Sequence, residues 1–316
     1  MVATIGQMAS AAYYLESQRF YRHPNEYYTA GEEPDGTWFN PKGLFGLEDG
    51  EKVDSGHFHR LYSGFSPDGS NKLVQRAGNP ERSPGVDMTF SVDKSVSSLW
   101  AIAEPDMRAR IEAMATAAAR AALEDSVLRH CSYTRISAKG VARPAEADLM
   151  GATFVHGTSR ENDPQLHVHC TIFNLARTHE DGKWRAHHQY PVYSWKKAAG
   201  ALFRAYMAWE LQQGLGVRME QYGPNAEFTR IEGMPEDLQS FWSKRRKAIV
   251  ARAGELGISA LGNASRMAGV NKLTRAGKSH DNDPEVRHRR WREEAEGYVE
   301  REELIASVTG HEVTVS

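Results

Sequence analysis

The segment His156-Gly-Thr-Ser-Arg-Glu-Asn-Asp-Pro-Gln-Leu-His167-Val-His169 constrains the fold of this chain more than any other stretch. Leu166 to Phe173 reads as a β-strand, in which side chains alternate between faces. His167, His169 and Thr171 then share one face, while Leu166, Val168, Cys170 and Ile172 line the other, apolar one. Ala152 to His156 reads as a second strand, and the polar loop from Gly157 to Pro164 carries the turn formers Asn162, Asp163 and Pro164. A hairpin is the simplest connection, and it brings His156 alongside His167. An isolated H-x-H is more often a pair of surface histidines. A third histidine at hairpin distance favours a metal site instead, and three ligands without a fourth suggest an open, catalytic one.

The N-terminus supplies candidate nucleophiles. Tyr13-Tyr14 and Tyr27-Tyr28 are two pairs with Tyr21 between them. The first pair lies in a helical pattern with apolar residues at Ile5, Met8, Ala9, Ala12 and Leu15. A phenol with a pKa of about 10 is a poor nucleophile at neutral pH. A metal can polarise a phosphate, and a neighbouring base or cation can activate the phenol. The product, a phosphotyrosine ester, exchanges one phosphoester for another and suits breaking and rejoining a nucleic-acid strand. Taken alone, either pair fits ordinary core or interface packing. Val86 to Val92 alternates apolar with polar residues and reads as a further strand. On its polar face Asp87 could orient a histidine or accept a phenol proton; without the other motifs it is an ordinary solvated strand residue.

Charge gives a weaker signal. The net charge is −2 and the pI about 6.7, so nucleic-acid binding would depend on local patches. Lys244-Arg-Arg-Lys247 and Arg287-His-Arg-Arg290-Trp291-Arg292 are basic runs, and Trp242 and Trp291 beside them could stack on bases. Such runs are equally often solvated helix faces. Cys131 and Cys170 offer no disulfide framework and suit the cytosol. No secretory signal is expected at Met1 to Ser10, and no apolar run is long enough for a membrane span.

Along the chain, residues 1–22 read as a short strand and the tyrosine helix, residues 23–85 as loops and short helices, and Ala101 to His130 as one Ala-rich helix. Cys131 to Arg143 reads as a strand or ribbon. Trp195 to Gln213 reads as a helix with Leu202, Tyr206 and Trp209 on its stripe. Val217 to Phe228 reads as a short hairpin, Asp237 to Leu256 as a helix ended by Gly257, and the rest as charged helix. Strands mixed with helices in this way predict an α+β fold, with a mostly antiparallel sheet and helices on one face.

These motifs in this order are Tyr13-Tyr14, then D-x-T-F-S-x-x-K-S-V-S from Asp87 to Ser97, then H-x-T-S-R-x-x-D-P-Q-L-H-x-H-x-x-x-x-N from His156 to Asn174. Together they resemble the conjugative relaxases of the TrwC/TraI type, the MobF group of the HUH endonuclease superfamily. Asp181-Gly-Lys-Trp184-Arg185 is similar too. The tyrosine pairs stand further apart than in that family, which leaves the second tyrosine open. The resemblance implies a palm-like central sheet over residues 1–230, with a helical C-terminal lobe over 231–316 closing on DNA. It implies that Tyr13 attacks the scissile phosphate of single-stranded DNA, keeping the 5′ phosphate and releasing a 3′ hydroxyl. It implies that His156, His167 and His169 hold a divalent ion and that Asp87 orders the site. Tyr14, Tyr27 or Tyr28 would serve a second strand transfer. Lys94, Arg160, Arg185, Arg289 and Arg290 are candidate DNA contacts.

Imidazoles favour Zn, Ni, Co or Cu by intrinsic affinity, whereas the family is regarded as working with Mg or Mn. The expected partners are hairpin or single-stranded DNA at an origin of transfer, accessory relaxosome proteins and the coupling apparatus. A helicase domain beyond this chain and action on plasmid DNA in the bacterial cytoplasm are expected as well. The alternatives are a metal-dependent hydrolase or nuclease without a covalent intermediate, and a non-catalytic DNA-binding module.

Overall fold

A computed structural model describes residues 2–16, 36–138, 140–159, 161–258, 266–267, 269–270 and 284–312. Tyr21, Tyr27, Tyr28 and Arg160 lie outside the described residues. The architecture is α+β. The central sheet has the order β1-β3-β7-β6-β2. Its strands are β1 (Val2–Gln7), β2 (Thr37–Phe39), β3 (Gly85–Ser91), β6 (Gly151–Thr158) and β7 (Pro164–Phe173). Every neighbouring pair in it is antiparallel. A second antiparallel sheet has the order β4-β5-β8-β9, built from β4 (Tyr133–Ala138), β5 (Val141–Asp148), β8 (Ala176–Thr178) and β9 (Trp184–Arg185). The hairpin of β10 (Met219–Tyr222) and β11 (Phe228–Ile231) stands apart from both.

The period-2 alternation of β3 and β7 assigns the faces of the central sheet. Val86, Met88 and Phe90 pair in register with Ile172, Cys170 and Val168, and all six are buried in the main core. That face is covered by α3 (Lys94–Ile102), α4 (Pro105–Leu123) and α6 (Tyr190–Leu215). Phe90 stacks on Phe203 of α6 with ring centres 5.0 Å apart. The opposite face carries Asp87, Thr89, His167, His169 and Thr171. It meets a second apolar cluster formed by α1 (Ala11–Glu16), α2 (Ser55–Ser63) and the aromatic residues Trp38, Phe154 and Phe173. The site therefore sits on one face of a sheet whose other face is buried in the main apolar core.

Several local expectations are corrected. The helical pattern from Ile5 does not begin there, because Val2–Gln7 pairs with β3 as an edge strand and the helix starts at Ala11. The stretch 23–85 contains β2, only three residues long and too short to announce itself by alternation. The Ala-rich region is not one helix: Pro105, which has no N–H to donate, starts α4 at its N-terminus after a break at Ala103. Beyond Leu123 the chain passes through a π-helical turn, Glu124–Leu128, into the last turn α5 (Arg129–Cys131). On α6 the buried stripe is Ala199, Phe203, Met207 and Leu211, spaced at i, i+4, whereas Trp209 is 56% exposed. The helix expected from Asp237 splits into α7 (Glu236–Phe241) and α8 (Lys244–Glu255). The C-terminal helices α9 (Pro284–Ala295) and α10 (Arg301–Val308) add Trp291, Ala295, Leu304 and Val308 to the main core. Trp242 and Trp291, expected to be available for base stacking, are both fully buried there. Among the described residues no helix is long and apolar enough to cross a membrane.

Candidate active site

The β6–β7 hairpin sets His156 directly opposite His167 in the antiparallel register, and Phe154 opposite His169. One ligand nitrogen from each of His156, His167 and His169 lies within 4.8 Å of the other two. His156 and His169 are buried and His167 is half-buried. Two of the rings have their tautomers fixed. His167 Nδ1 is 2.7 Å from the Gln165 carbonyl oxygen, and His169 Nδ1 is 2.7 Å from Asp87 Oδ2. A carbonyl and a carboxylate only accept, so both Nδ1 atoms carry the proton, and in the neutral rings both Nε2 atoms present lone pairs. A histidine metal ligand is ordinarily held in this way. Neutral imidazoles with oriented lone pairs fit a divalent ion.

Tyr13 covers the cluster. Its hydroxyl is 3.2 Å from His169 Nε2, and its ring centre is 5.6 Å from that of His156 and 5.5 Å from that of His169. The protonated Nδ1 makes Nε2 the acceptor, so the phenol donates to it. The same lone pair can serve a metal ion or the Tyr13 proton, but not both at once.

The geometry of α1 separates the two tyrosines. Met8, Ala11 and Tyr14 are all buried in the cluster beneath the helix. Consecutive helical residues point about 100° apart, so Tyr13 is turned towards the histidines. Tyr14, fully buried, donates its hydroxyl to Asp87 Oδ2 at 3.1 Å and accepts from the Ala9 N–H at 2.8 Å. Burial first, then the Asp87 carboxylate, push the Tyr14 phenol well above its ordinary range, with the Ala9 N–H opposing. Tyr14 therefore braces Asp87 in this arrangement. Tyr14→Phe should leave DNA attachment at Tyr13 in place while costing about 1–3 kcal/mol of stability for the lost buried donor. Denaturant melts and adduct yields measured together check this; an adduct lost as fully as in Tyr13→Phe would contradict it.

Asp87 thus joins His169 and Tyr14, and Thr89 Oγ1 adds a contact 3.2 Å from His169 Nδ1. The expected DNA contacts fare differently. Lys94 donates to the carbonyls of Pro164 at 2.7 Å and Trp242 at 2.9 Å, and burial pulls its ammonium down to about 8. It is spent inside the protein and does not reach outward. Arg290 donates to the Asn162 carbonyl at 3.2 Å, whereas Arg289 is exposed. Arg185 forms a two-pronged pair with Asp181 at 2.8 Å on each prong.

Sequence patterning missed a cavity of about 540 Å³ whose walls include Arg76, Arg82, Ser83, Asn174, Trp184 and Arg185. The Trp184 ring that borders it stacks on Phe45 at 4.7 Å. Its residues come from three separate stretches of chain, and only the arginine and tryptophan in D-G-K-W-R gave any hint of it.

The model of the TrwC relaxase family matches residues 8–298. The multifunctional conjugation protein TraI of Escherichia coli is 31% identical over 282 residues, covering 86% of this chain and 15% of that protein. TraI of strain K12 is 29% identical over 301 residues, covering 91% and 16%. The chain thus spans about a sixth of these relatives' length. A metal-bound structure of the conjugative relaxase TrwC in complex with oriT DNA is similar with a TM-score of 0.75 and 25% identity, covering 94% of this chain and 98% of that one. A copper-bound TrwC–oriT DNA structure gives 0.76 and 26%, with the same coverage.

Proposed function

Since this chain belongs to the TrwC relaxase family, we propose that it nicks and rejoins one DNA strand at a plasmid origin of transfer through a phosphotyrosine formed on Tyr13. The observation that carries the reading is the placement of Tyr13 over the three-histidine cluster, with its ring centre 5.6 Å from that of His156 and 5.5 Å from that of His169; its hydroxyl bond to His169 Nε2 gives way when an ion takes that lone pair. Attack by the Tyr13 oxygen on the scissile phosphorus forms the Tyr13–phosphate bond and breaks the bond to the 3′ oxygen. The phenolic proton passes to water and the 3′ oxygen takes a proton from water, so no proton is consumed overall. The ester stores the bond energy, so rejoining needs no nucleotide. A divalent ion bound by His156, His167 and His169 would supply Lewis-acid polarisation of the phosphate. Asp87 keeps His169 in the tautomer that offers Nε2, and Tyr14 braces Asp87. A helix-borne Tyr13 fixed beside the cluster satisfies the positional demand of such a step.

The proposed DNA is single-stranded or hairpin DNA, in keeping with the oriT complexes of the structural relatives. Residues 1–230 would carry the chemistry and 231–316 would close on the DNA. Action in the cytoplasm, accessory relaxosome proteins, the coupling apparatus and a linked helicase belong to the same proposal. An oligonucleotide incubated with Mg2+ or Mn2+ and resolved under denaturing conditions tests the reading. A cleaved 3′-hydroxyl product together with protein-linked DNA is expected. Cleavage without linkage would indicate a hydrolase, and neither product would indicate a binding module.

The cavity bordered by Arg76 and Trp184 offers a guanidinium beside a stacking surface, which suits a nucleic-acid strand, while Arg82 in its wall is bonded to the carbonyls of Tyr62 and Asn174. Each single-strand phosphate neutralised contributes roughly −0.7 to the log–log salt slope of binding. Arg76→Ala should therefore flatten the slope by about 0.7 while the nick is still made at saturating oligonucleotide. Fluorescence-anisotropy titrations across a salt series measure this, and an unchanged slope would remove Arg76 from the DNA path.

A further inference from the structure

The end of the β6–β7 hairpin, where the chain turns between Thr158 and Pro164, adjoins the His156–His167 pair of the ladder, so what holds that end bears on the spacing of those two rings. It is held from outside the hairpin at several points. Gly157 follows His156 at a register shift in the β6–β7 ladder. A Cβ added there would meet the Trp100 ring at 2.4 Å, so the strand can lie this close to α3 only with glycine. Asn162, at φ +57°, presents its carbonyl oxygen to Trp291 Nε1 at 3.0 Å and to Arg290 Nη2 at 3.2 Å. The Asp163 side chain, 1% exposed, accepts the Lys244 backbone N–H at 2.8 Å and pairs with Lys244 Nζ at 3.2 Å. The Pro164 carbonyl accepts from Lys94 Nζ.

Asp163 therefore satisfies one of the N–H groups that the start of α8 cannot pair within its own helix, and it places a carboxylate at the positive end of the helix dipole. Trp291, on α9, is fully buried, with its ring centre 5.5 Å from Trp100 and 4.9 Å from His288. The same indole thus packs against the Trp100 ring that abuts Gly157 and holds the Asn162 carbonyl. These contacts join C-terminal helices to the loop that connects two of the three candidate ligands.

We propose that Asp163 and Trp291 are positioning residues that fix the end of the β6–β7 hairpin and thereby hold His156 and His167 at metal-binding distance, so that α8 and α9 set the metal affinity of a site more than 70 residues upstream in the chain. This rests on the reading of the three histidines as a metal site. Loss of either contact loosens the hairpin end together with its His156–His167 pair, while the pairs from Val155–Val168 inward stay in register.

The test is Mn2+ uptake by the DNA-free protein, followed by loss of the free-ion electron-paramagnetic-resonance signal, alongside thermal melting. Trp291→Phe keeps an aromatic ring against Trp100 and His288 but removes the N–H. Asp163→Ala removes the carboxylate. Trp242→Phe is the control, because that equally buried indole donates to Glu294 and not to the loop. Trp291→Phe and Asp163→Ala are expected to weaken Mn2+ binding about tenfold, the lower end of what supporting partners of metal ligands are worth. Trp242→Phe should bind as the wild type does, even where its melting temperature falls as far. If Asp163→Ala does not fold, the milder Trp291→Phe decides. Wild-type affinity in the folded loop variants, or equal weakening in Trp242→Phe, would overturn the positioning role alone. A wild-type protein that takes up no Mn2+ would overturn the metal reading and this proposal with it.

Discussion

Tyr13→Phe is expected to reduce formation of the protein–DNA adduct by at least about a thousandfold, within the range seen when a covalent nucleophile is deleted. The substitution removes one oxygen. The ring contacts with His156 and His169 can persist, and Tyr13 is only half-buried, so the fold should be little affected. Tyr14 cannot step in by a rotamer change: it lies on the buried side of α1, with its hydroxyl committed to Asp87 and the Ala9 N–H. Its phenol is also held in the protonated form by burial. Single-turnover cleavage of an oligonucleotide by wild type and Tyr13→Phe measures the difference. Binding of the uncut oligonucleotide should stay within a few-fold of wild type, since the lost group acts in the reaction and not in docking.

His167→Ala is expected to show the second-largest effect. With two imidazoles left, divalent-ion binding should weaken by more than about a hundredfold, exceeding what supporting residues around a ligand contribute. Cleavage should fall with it at fixed low Mn2+ and recover in part as the ion is raised. His167 is a better test than His169, which also bonds Asp87 and Tyr13. His167 Nδ1 bonds the backbone carbonyl of Gln165, and the Asp87–Tyr14 and Asp87–His169 bonds run through other atoms, so the brace does not depend on the His167 ring. Isothermal titration with Mn2+ and cleavage assays across ion concentration follow both effects. Unaltered ion affinity in His167→Ala would remove it from the ligand set.

The parts of the site legible in the sequence are those governed by short-range periodicity. Alternation in β7 puts His167 and His169 on one face, and a short polar loop puts His156 opposite, so neighbouring residues determine both features. Asp87 was legible as a residue on the polar face of its strand, but its partners were not: Tyr14 and His169 lie 73 and 82 residues away. The choice between Tyr13 and Tyr14 depends on where α1 begins, and the apolar series starting at Ile5 blurred that boundary because β1 has an alternation of its own. Aromatic residues beside basic runs misled for a physical reason. A large ring offers more apolar area to bury than its charged neighbours can outweigh, so Trp242 and Trp291 went into the core. Arg108 and Glu285, 2.6 Å apart across 177 residues, illustrate the general limit. Pairings of this kind dock the C-terminal helices, and no local pattern announces them.

The most direct measurement is peptide mapping by mass spectrometry of the adduct formed on an origin-of-transfer oligonucleotide, with wild type and Tyr13→Phe digested in parallel. The nucleotide mass is predicted on the peptide containing Tyr13, fragmenting to that residue, and absent from the variant. Nucleotide on Tyr14 or Tyr27, an adduct undiminished in Tyr13→Phe, or strand cleavage with no protein-linked DNA would contradict the account.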